Sequence, residues 1–282
     1  MPDLEYIFHP KSIAIVGASR DPSSYATNFF LKPLIQFGYE GKTYPVNPKV
    51  REILGVKAYP SILDVPGPVE YVICCIRAEL TPQLMRECVT KGVKVVQLFT
   101  SGFSETGEKE GVRLEREITE IARQGGMRVI GPNCLGIYCP SSRISFDASF
   151  PKESGSVGFL CQSGGNSIEL VQLGDARGIR FSKVVSFGNA CDLNEADFLE
   201  YFAHDPQTKV IVGYLEGTKE GKRFAKALRE AARAKPVIML KGGVSGAGTE
   251  AVASHTGALA GNNAVWDSLF RHLGVIQVYD LE

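Results

Sequence analysis

Twice along this chain a short apolar run ends in a glycine turn and passes into a helix-like stretch. The first turn is Val16-Gly17-Ala18-Ser19-Arg20 and the second is Cys161-Gln162-Ser163-Gly164-Gly165-Asn166-Ser167. Backbone N–H and C=O groups in apolar runs of strand length must be paired, and the pairing available to them is a sheet. In the first half such runs occupy 13–16, 43–46, 69–76, 93–98 and 128–130, with helix-like segments at 81–91 and 108–123 between them. The rhythm restarts with runs at 157–161, 183–186, 209–214, 236–240 and 275–278, and helices are expected near 167–177, 194–203, 219–233 and 262–272. Strand, helix, strand in this alternation implies parallel sheets with both faces covered. Thr81-Pro82 reads as a cap followed by a first-turn proline, and Pro33 within the helical 27–37 implies a kink or a late start. At 282 residues the chain is long for one core. Two doubly wound α/β domains are therefore expected, 1–138 and 156–282, joined by a Pro/Ser-rich linker at 139–155.

Charge narrows the partners. Lys plus Arg and Asp plus Glu both total 31, so the formal net charge is zero and no basic stripe is present to grip a nucleic-acid backbone. The longest apolar stretches have strand length, and Met1-Pro2-Asp3-Leu4-Glu5 is acidic with no apolar run behind it, so neither a membrane span nor a leader is expected. None of the 7 cysteines forms a Cys-x-x-Cys pair, and Cys74, Cys75 and Cys161 lie in apolar runs. A soluble protein of the reducing cytoplasm is the expectation. The four histidines do not pair at metal-ligand spacing, so no metal site is expected.

A glycine turn between strand and helix presents backbone N–H groups and the positive end of the helix dipole, which makes it an anion site. Two such turns suggest two anions. The first is Gly-Ala-Ser rather than a full Gly-x-Gly-x-x-Gly, and strand two ends in Pro45-Val46-Asn47-Pro48-Lys49, where a NAD enzyme offers Asp or Glu to the ribose. Lys49 and Arg20 suit additional phosphate instead. Bland alternatives stay open at each position: close helix–strand packing at Gly17, a solvated lysine at 49, a helix cap at Ser163, an exposed strand-end carboxylate at Glu216.

His255 stands in the small-residue run 253–261, behind the glycine-rich 241–249. A histidine without bulky neighbours is a poor core residue and can be presented to a reactant from a permissive backbone. Glu216, at the end of the strand run 209–214, is the candidate acceptor that keeps its other ring nitrogen as N–H, because strand C-termini in open α/β sheets face the ligand crevice. The 241–249 stretch lacks the lysine a phosphate-binding P-loop needs after its second glycine. Surface or helix-end roles suffice for His9, His204 and His272.

Several ordered motifs together resemble one family. They are Gly17-Ala18-Ser19, Tyr44-Pro45-Val46-Asn47-Pro48-Lys49, Ser101-Gly102-Phe103-Ser104-Glu105-Thr106-Gly107 and Gly131-Pro132-Asn133-Cys134-Leu135-Gly136 in the first half. Gln162-Ser163-Gly164, Ser186-Phe187-Gly188-Asn189 with Asp192, Tyr214-Leu215-Glu216-Gly217 and Ser254-His255-Thr256-Gly257 extend them through the second. The chain resembles the NDP-forming acyl-CoA synthetases, within them the α subunits of ADP-forming acetate–CoA ligases, with succinyl-CoA synthetase α more distant. The resemblance implies an N-terminal Rossmann-like CoA-binding domain followed by a flavodoxin-like doubly wound domain that carries a phosphorylated histidine. By motif position it implies CoA contacts at Gly17, Ala18, Ser19, Asn47, Pro48, Lys49, Ser101, Gly102, Phe103, Pro132 and Asn133. It implies a phosphate cradle at Gln162, Ser163 and Gly164, and catalysis by His255 with Glu216. CoA and phosphate would be substrates, and Mg-ADP/ATP would bind only through an ATP-grasp β subunit or domain in a hetero-oligomer. Two rivals from other classes are a CoA-sensing module of the kind fused to protein lysine acetyltransferases, whose copies tend to lack the histidine, and a NAD-dependent oxidoreductase, disfavoured by the missing acidic residue.

Overall fold

A computed structural model describes residues 4–243 and 263–280. The strands of the first half are β1 (Ser12–Val16), β2 (Lys42–Val46), the short antiparallel pair β3 (Glu52–Ile53) and β4 (Val56–Lys57), β5 (Tyr71–Cys74), β6 (Val95–Leu98) and β7 (Arg128–Ile130). The main sheet runs β2-β1-β5-β6-β7 with every neighbour parallel. All residues of β1, β5 and β6 are buried, as expected for strands covered on both faces. Helix α1 (Glu5–Phe8) precedes β1, α2 (Lys32–Phe37) follows it, and α3 (Thr81–Lys91) and α4 (Lys109–Gln124) flank β6.

β8 (Gly136–Tyr138) opens the second sheet, where it pairs antiparallel with β10 (Phe181–Ser186). The chain thus reaches the second sheet at Gly136, ahead of the stretch expected to link the domains. That stretch is itself packed: Phe146 and Phe150 are buried, edge-on to each other, and Phe150 lies edge-on to Tyr138. The remaining strands are β9 (Val157–Cys161), β11 (Val210–Leu215), β12 (Val237–Lys241) and β13 (Ile276–Val278), and the order is β13-β12-β11-β9-β10-β8. The helices are α5 (Gly164–Ala176), α6 (Glu195–His204), α7 (Gly221–Ala234) and α8 (Asn263–Leu273). Among the described residues, cover is incomplete on one face here. Among the described residues β11 and β12 alternate buried and half-buried positions, and Val212, Tyr214, Ile238 and Leu240 line a cavity of 310 Å³.

The parallel strands of both sheets share one order, second, first, third, fourth, fifth. This is the doubly wound arrangement, whose ligand crevice opens at the C-terminal ends of the first and third strands where the winding reverses. Those ends are Val16 and Cys74 in the first sheet, Cys161 and Leu215 in the second.

Two local departures have simple causes. The helical run begins at Tyr25, is wound as a π-helix over Thr27–Leu31 and returns to α-helix at Lys32, so Pro33 lies inside a continuous helix directly after the widened turns that accommodate its missing N–H. Thr81 is the first helical residue of α3 rather than its cap, and its hydroxyl donates to Ala78 O (2.7 Å). A single apolar cluster joins the halves, running from Ile13, Ile15, Ile73 and Ile130 on one face of the first sheet to Phe159, Phe187 and Phe202 in the second domain. Ala14, Val16, Val72, Cys74 and Val96 form a separate cluster on the opposite face.

Candidate active site

At the first reversal point Gly17 has φ +99°, and a Cβ there would stand 2.9 Å from Cys75 O. Only glycine lets the ends of β1 and β5 approach this closely. The turn that follows is held internally: Ser19 N donates to Thr27 Oγ1 (3.0 Å), Thr27 Oγ1 donates to Ser19 O (2.7 Å), and Ala18 is fully buried. Asn47 ties β2 to the turn by donating from Nδ2 to Ala18 O (2.7 Å), while its Oδ1 accepts from Lys49 N (2.8 Å). Gly17, Asn47 and Pro48 line a pocket of 320 Å³ whose remaining wall includes Val16, Ile62, Ile76 and Leu84. Lys49 is exposed beside it, and Arg20 donates from Nε to Glu52 O (2.7 Å).

A larger cleft of 630 Å³ lies between the domains. One wall is built from the ends of β5 and β6 (Cys75, Ile76, Arg77, Phe99, Thr100, Ser101), the floor from Asn133 and Leu135, and the other wall from Ser163, Gly164 and Gly165. Ser163 caps α5, its Oγ accepting from Asn166 N (3.3 Å). The N–H groups of Gly164 and Gly165 fall in the first helical turn, where no preceding carbonyl of the helix reaches them, and they line the cleft. Cap and anion cradle are thus compatible roles for this turn.

The expected loop contacts divide. Ser101 and Asn133 line the cleft, whereas Gly102 N (2.6 Å) and Phe103 N (3.2 Å) donate to the Glu105 carboxylate and the Phe103 side chain is buried in the core. Pro132 presents its carbonyl to Asn189 N (3.0 Å). Gln162 does not face the cleft with Ser163. It bridges the second reversal point, its Oε1 accepting from Glu216 N (2.5 Å) and Gly217 N (3.1 Å).

Glu216 follows β11 and is buried, with the Tyr214 hydroxyl donating to its Oε1 (3.5 Å). Burial, and then the Glu216 charge, pushes the Tyr214 phenol up to about 12. Lys241, which the sequence did not single out, is 3% exposed at the end of β12. Its Nζ donates to Glu216 O (2.9 Å) and to Gly242 O and sits 5.5 Å from the Trp266 ring. Burial lowers its pKa against the opposing pull of Glu216. The only sequence signal for it was a lysine closing the apolar run Val237-Ile238-Met239-Leu240. His255 lies outside the described residues. His204 and His272 occupy the last turns of α6 and α8, and His9 meets Glu5 (3.0 Å) and the Ser142 hydroxyl. No helix among the described residues is long and apolar enough to cross a membrane.

Residues 11–140 match the family described as CoA binding domain, and residues 154–282 the succinyl-CoA ligase like flavodoxin domain. The chain is 41% identical over 285 residues to acetate–CoA ligase (ADP-forming) I subunit alpha of Pyrococcus furiosus, covering 99% of this chain and 61% of that protein. It is 41% identical over 282 residues to acetate–CoA ligase (ADP-forming) I of Archaeoglobus fulgidus, covering 99% of this chain and 40% of the relative. Among solved structures, the dinucleotide forming acetyl-coenzyme A synthetase 1 of Candidatus Korarchaeum cryptofilum, in complex with phosphate and ADP, superposes with a TM-score of 0.91 at 38% identity. That match covers 99% of this chain and 60% of the other. The chain therefore spans between 40% and 61% of the length of these relatives.

Proposed function

The chain belongs to the NDP-forming acyl-CoA synthetase family, and on that premise we propose that it is the CoA-binding and phosphohistidine-carrying part of an ADP-forming acyl-CoA synthetase. The reaction is acyl-CoA + phosphate + ADP giving carboxylate + CoA + ATP. The observation that carries this reading is the 630 Å³ cleft, which the strand ends of one domain and the Ser163-Gly164-Gly165 turn of the other line together. A thioester held by the first and a phosphate held by the second meet there.

The nucleotide end of CoA lies in the pocket beside Gly17, Asn47 and Pro48, with Lys49 as a point charge for its phosphates. Ala18 and Ser19 act by shaping the turn, and Gly102, Phe103 and Pro132 by holding the loops that present Ser101 and Asn133. Gly164 and Gly165 N–H groups hold phosphate while one of its oxygens attacks the thioester carbonyl and the CoA thiolate leaves. An imidazole nitrogen of His255 then attacks phosphorus, the carboxylate leaves, and the phosphoramidate is later transferred to ADP. The Glu216 carboxylate accepts a hydrogen bond from the N–H of that ring's other nitrogen, and Gln162 and Lys241 fix the Glu216 backbone. ADP and Mg²⁺ come from an ATP-grasp subunit or domain, so the working unit is a hetero-oligomer or a longer polypeptide. We place it in the cytoplasm, whose reducing conditions suit seven unpaired cysteines.

The test is to incubate the chain with acetyl-CoA and labelled phosphate, with an ATP-grasp partner added. Acid-labile, base-stable label should appear, vanish in His255→Ala, and form roughly 100-fold more slowly in Glu216→Gln. Label that survives His255→Ala removes the carrier role. CoA binding with no label in the presence of a working partner favours the sensing module.

A further inference from the structure

Ser186 is the last residue of β10, and the loop that follows it to α6 holds Phe187-Gly188-Asn189 and Asp192, residues to which the reaction assigns no part. Its polar groups face the first domain. Ser186 Oγ accepts from Leu135 N (3.2 Å), and Asn189, Cys191 and Leu193 donate their N–H groups to Pro132 O, Gly131 O and Val129 O (3.0, 3.0 and 3.1 Å). Asp192 takes Val129 N (2.8 Å) and forms a forked pair with Arg128, 2.9 Å to Nε and 3.0 Å to Nη2. Gly188 has φ +53°, and a Cβ there would stand 2.2 Å from Pro132 O, so the two backbones are in direct contact.

At the centre is one buried amide. Asn189 is 5% exposed, and its Nδ2 donates to Glu105 Oε2 (2.5 Å) and Glu115 Oε2 (3.0 Å) at once. Glu105 is the carboxylate that gathers the N–H groups of Gly102 and Phe103, and Glu115 accepts from the Ser104 hydroxyl (2.6 Å). Lys219 Nζ stands 3.6 Å from Glu115 Oε1 and donates to Ala190 O (3.5 Å), supplying positive charge beside the two carboxylates. The residues immediately before Gly102, Thr100 and Ser101, form part of the first-domain wall of the cleft. Asn133 and Leu135, on its floor, flank the same seam. On the other side, β10 lies against β9, which leads into Ser163 and Gly164. The amide therefore sits between the two walls that must keep a fixed separation.

We propose that Asn189 is a positioning residue, whose amide, through Glu105 and Glu115, sets the spacing between the thioester wall at Thr100–Ser101 and the phosphate turn at Ser163–Gly165. This rests on the acyl-transfer reading given above. Attack of phosphate on the thioester depends steeply on that spacing, since a misplacement of about 1 Å costs on the order of 100-fold. The nucleotide end of CoA is held in the Gly17 pocket, which no seam residue lines, and phosphorylation of His255 from the ATP side does not require a thioester at the Thr100–Ser101 wall. Neither depends on the seam.

Two variants test this: Asn189→Asp, which sets a third carboxylate against Glu105 and Glu115, and Asn189→Ala, which removes the donor without adding charge. In the chain alone, amide hydrogen exchange at Gly102 and Phe103 should accelerate at least about tenfold, with Ala227 in α7 unaffected. With an ATP-grasp partner, CoA affinity and ATP-driven labelling of His255 should stay within about threefold of wild type, while CoA-dependent turnover falls roughly 100-fold. Unchanged exchange and turnover in a folded variant overturn the proposal. So does a turnover loss that merely tracks weaker CoA binding or a lower melting temperature. If the wild-type chain takes no phosphate at all, the acyl-transfer reading fails, and the spacing role for that reaction fails with it; the exchange result then decides separately whether Asn189 holds the seam.

Discussion

Individual residues show how unevenly a sequence reports its own site. Glu216 was legible because its place at a strand end is a local property, and the structure keeps it there, buried. Gln162 was legible as part of the glycine turn, but its partners lie just past the end of the neighbouring strand, 54 and 55 residues away, and only the sheet register brings them to its side chain. Lys241 went unnoticed for the same reason. Glycines divide likewise into those that need freedom of φ and those that also need space. Gly17 needs both, whereas Gly107 has φ +72° with nothing within 4 Å of an added Cβ. Gly107→Ala should therefore cost only the left-handed strain, about 1–2 kcal/mol. Gly17→Ala should cost about 1–3 kcal/mol more, because Cys75 O must move, and should weaken CoA binding as well. Chemical denaturation of both variants with calorimetry for CoA checks this, and equal costs would show that the crowding at Gly17 is relieved freely.

Secondary elements were the most legible level, since apolar runs and helix boundaries are short-range signals. The runs at 13–16, 93–98 and 157–161 became β1, β6 and β9 within two residues at either end, and the helix expected at 194–203 became α6. Asn194 caps that helix by accepting from Ala196 N (3.0 Å), while Asp197 accepts from Asn194 N (3.0 Å). What escaped were the shortest elements, α1, the two-residue β3 and β4, and β8, three residues long and paired only after the chain has changed sheets. Pairing between elements also produced a buried charge that no periodicity announces. Lys183 on β10 meets Asp205 beyond α6 at 2.9 Å, with side chains 1% and 3% exposed. Burial would raise the Asp205 carboxyl, but hydrogen bonds from Thr208 and Lys183 and the Lys183 charge hold it below its ordinary 3.8. A carboxyl with a depressed folded-state pKa stabilises the fold above its unfolded value and loses that contribution as pH falls below about 3.8. Asp205→Asn should thus destabilise by about 3–5 kcal/mol at pH 7, since it leaves Lys183 buried with no counter-charge. The gap from wild type should narrow as pH drops below that value. Urea titrations at pH 7 and pH 3 measure it, and a gap of constant size would remove the ion pair as its cause.

For the whole molecule, the two expected domains share one apolar cluster and a polar seam rather than meeting through a flexible joint. The first helix adds a second clasp. Phe8 stacks on Tyr201 of α6 with ring centroids 4.8 Å apart, and the Tyr201 hydroxyl donates to Glu5 Oε2 (2.6 Å). A continuous core makes the two halves unfold together. Calorimetry should show one transition, and Phe8→Ala should lower stability by about 3–5 kcal/mol without splitting it. Two resolved transitions in the wild-type chain would mean that the shared core does not couple the halves. Strand and helix rhythm, the two glycine turns and the family motifs were in the sequence because each is written in residues close together along the chain. Only the tertiary structure decided that the second turn shares a cleft with the ends of β5 and β6 while the first turn lines a pocket of its own, and that Asn189 joins Glu105 and Glu115 across the seam. The contact of Asn189 with Glu105 unites residues 84 positions apart, and like the shared cleft it exists only once both sheets have wound in the same order and docked.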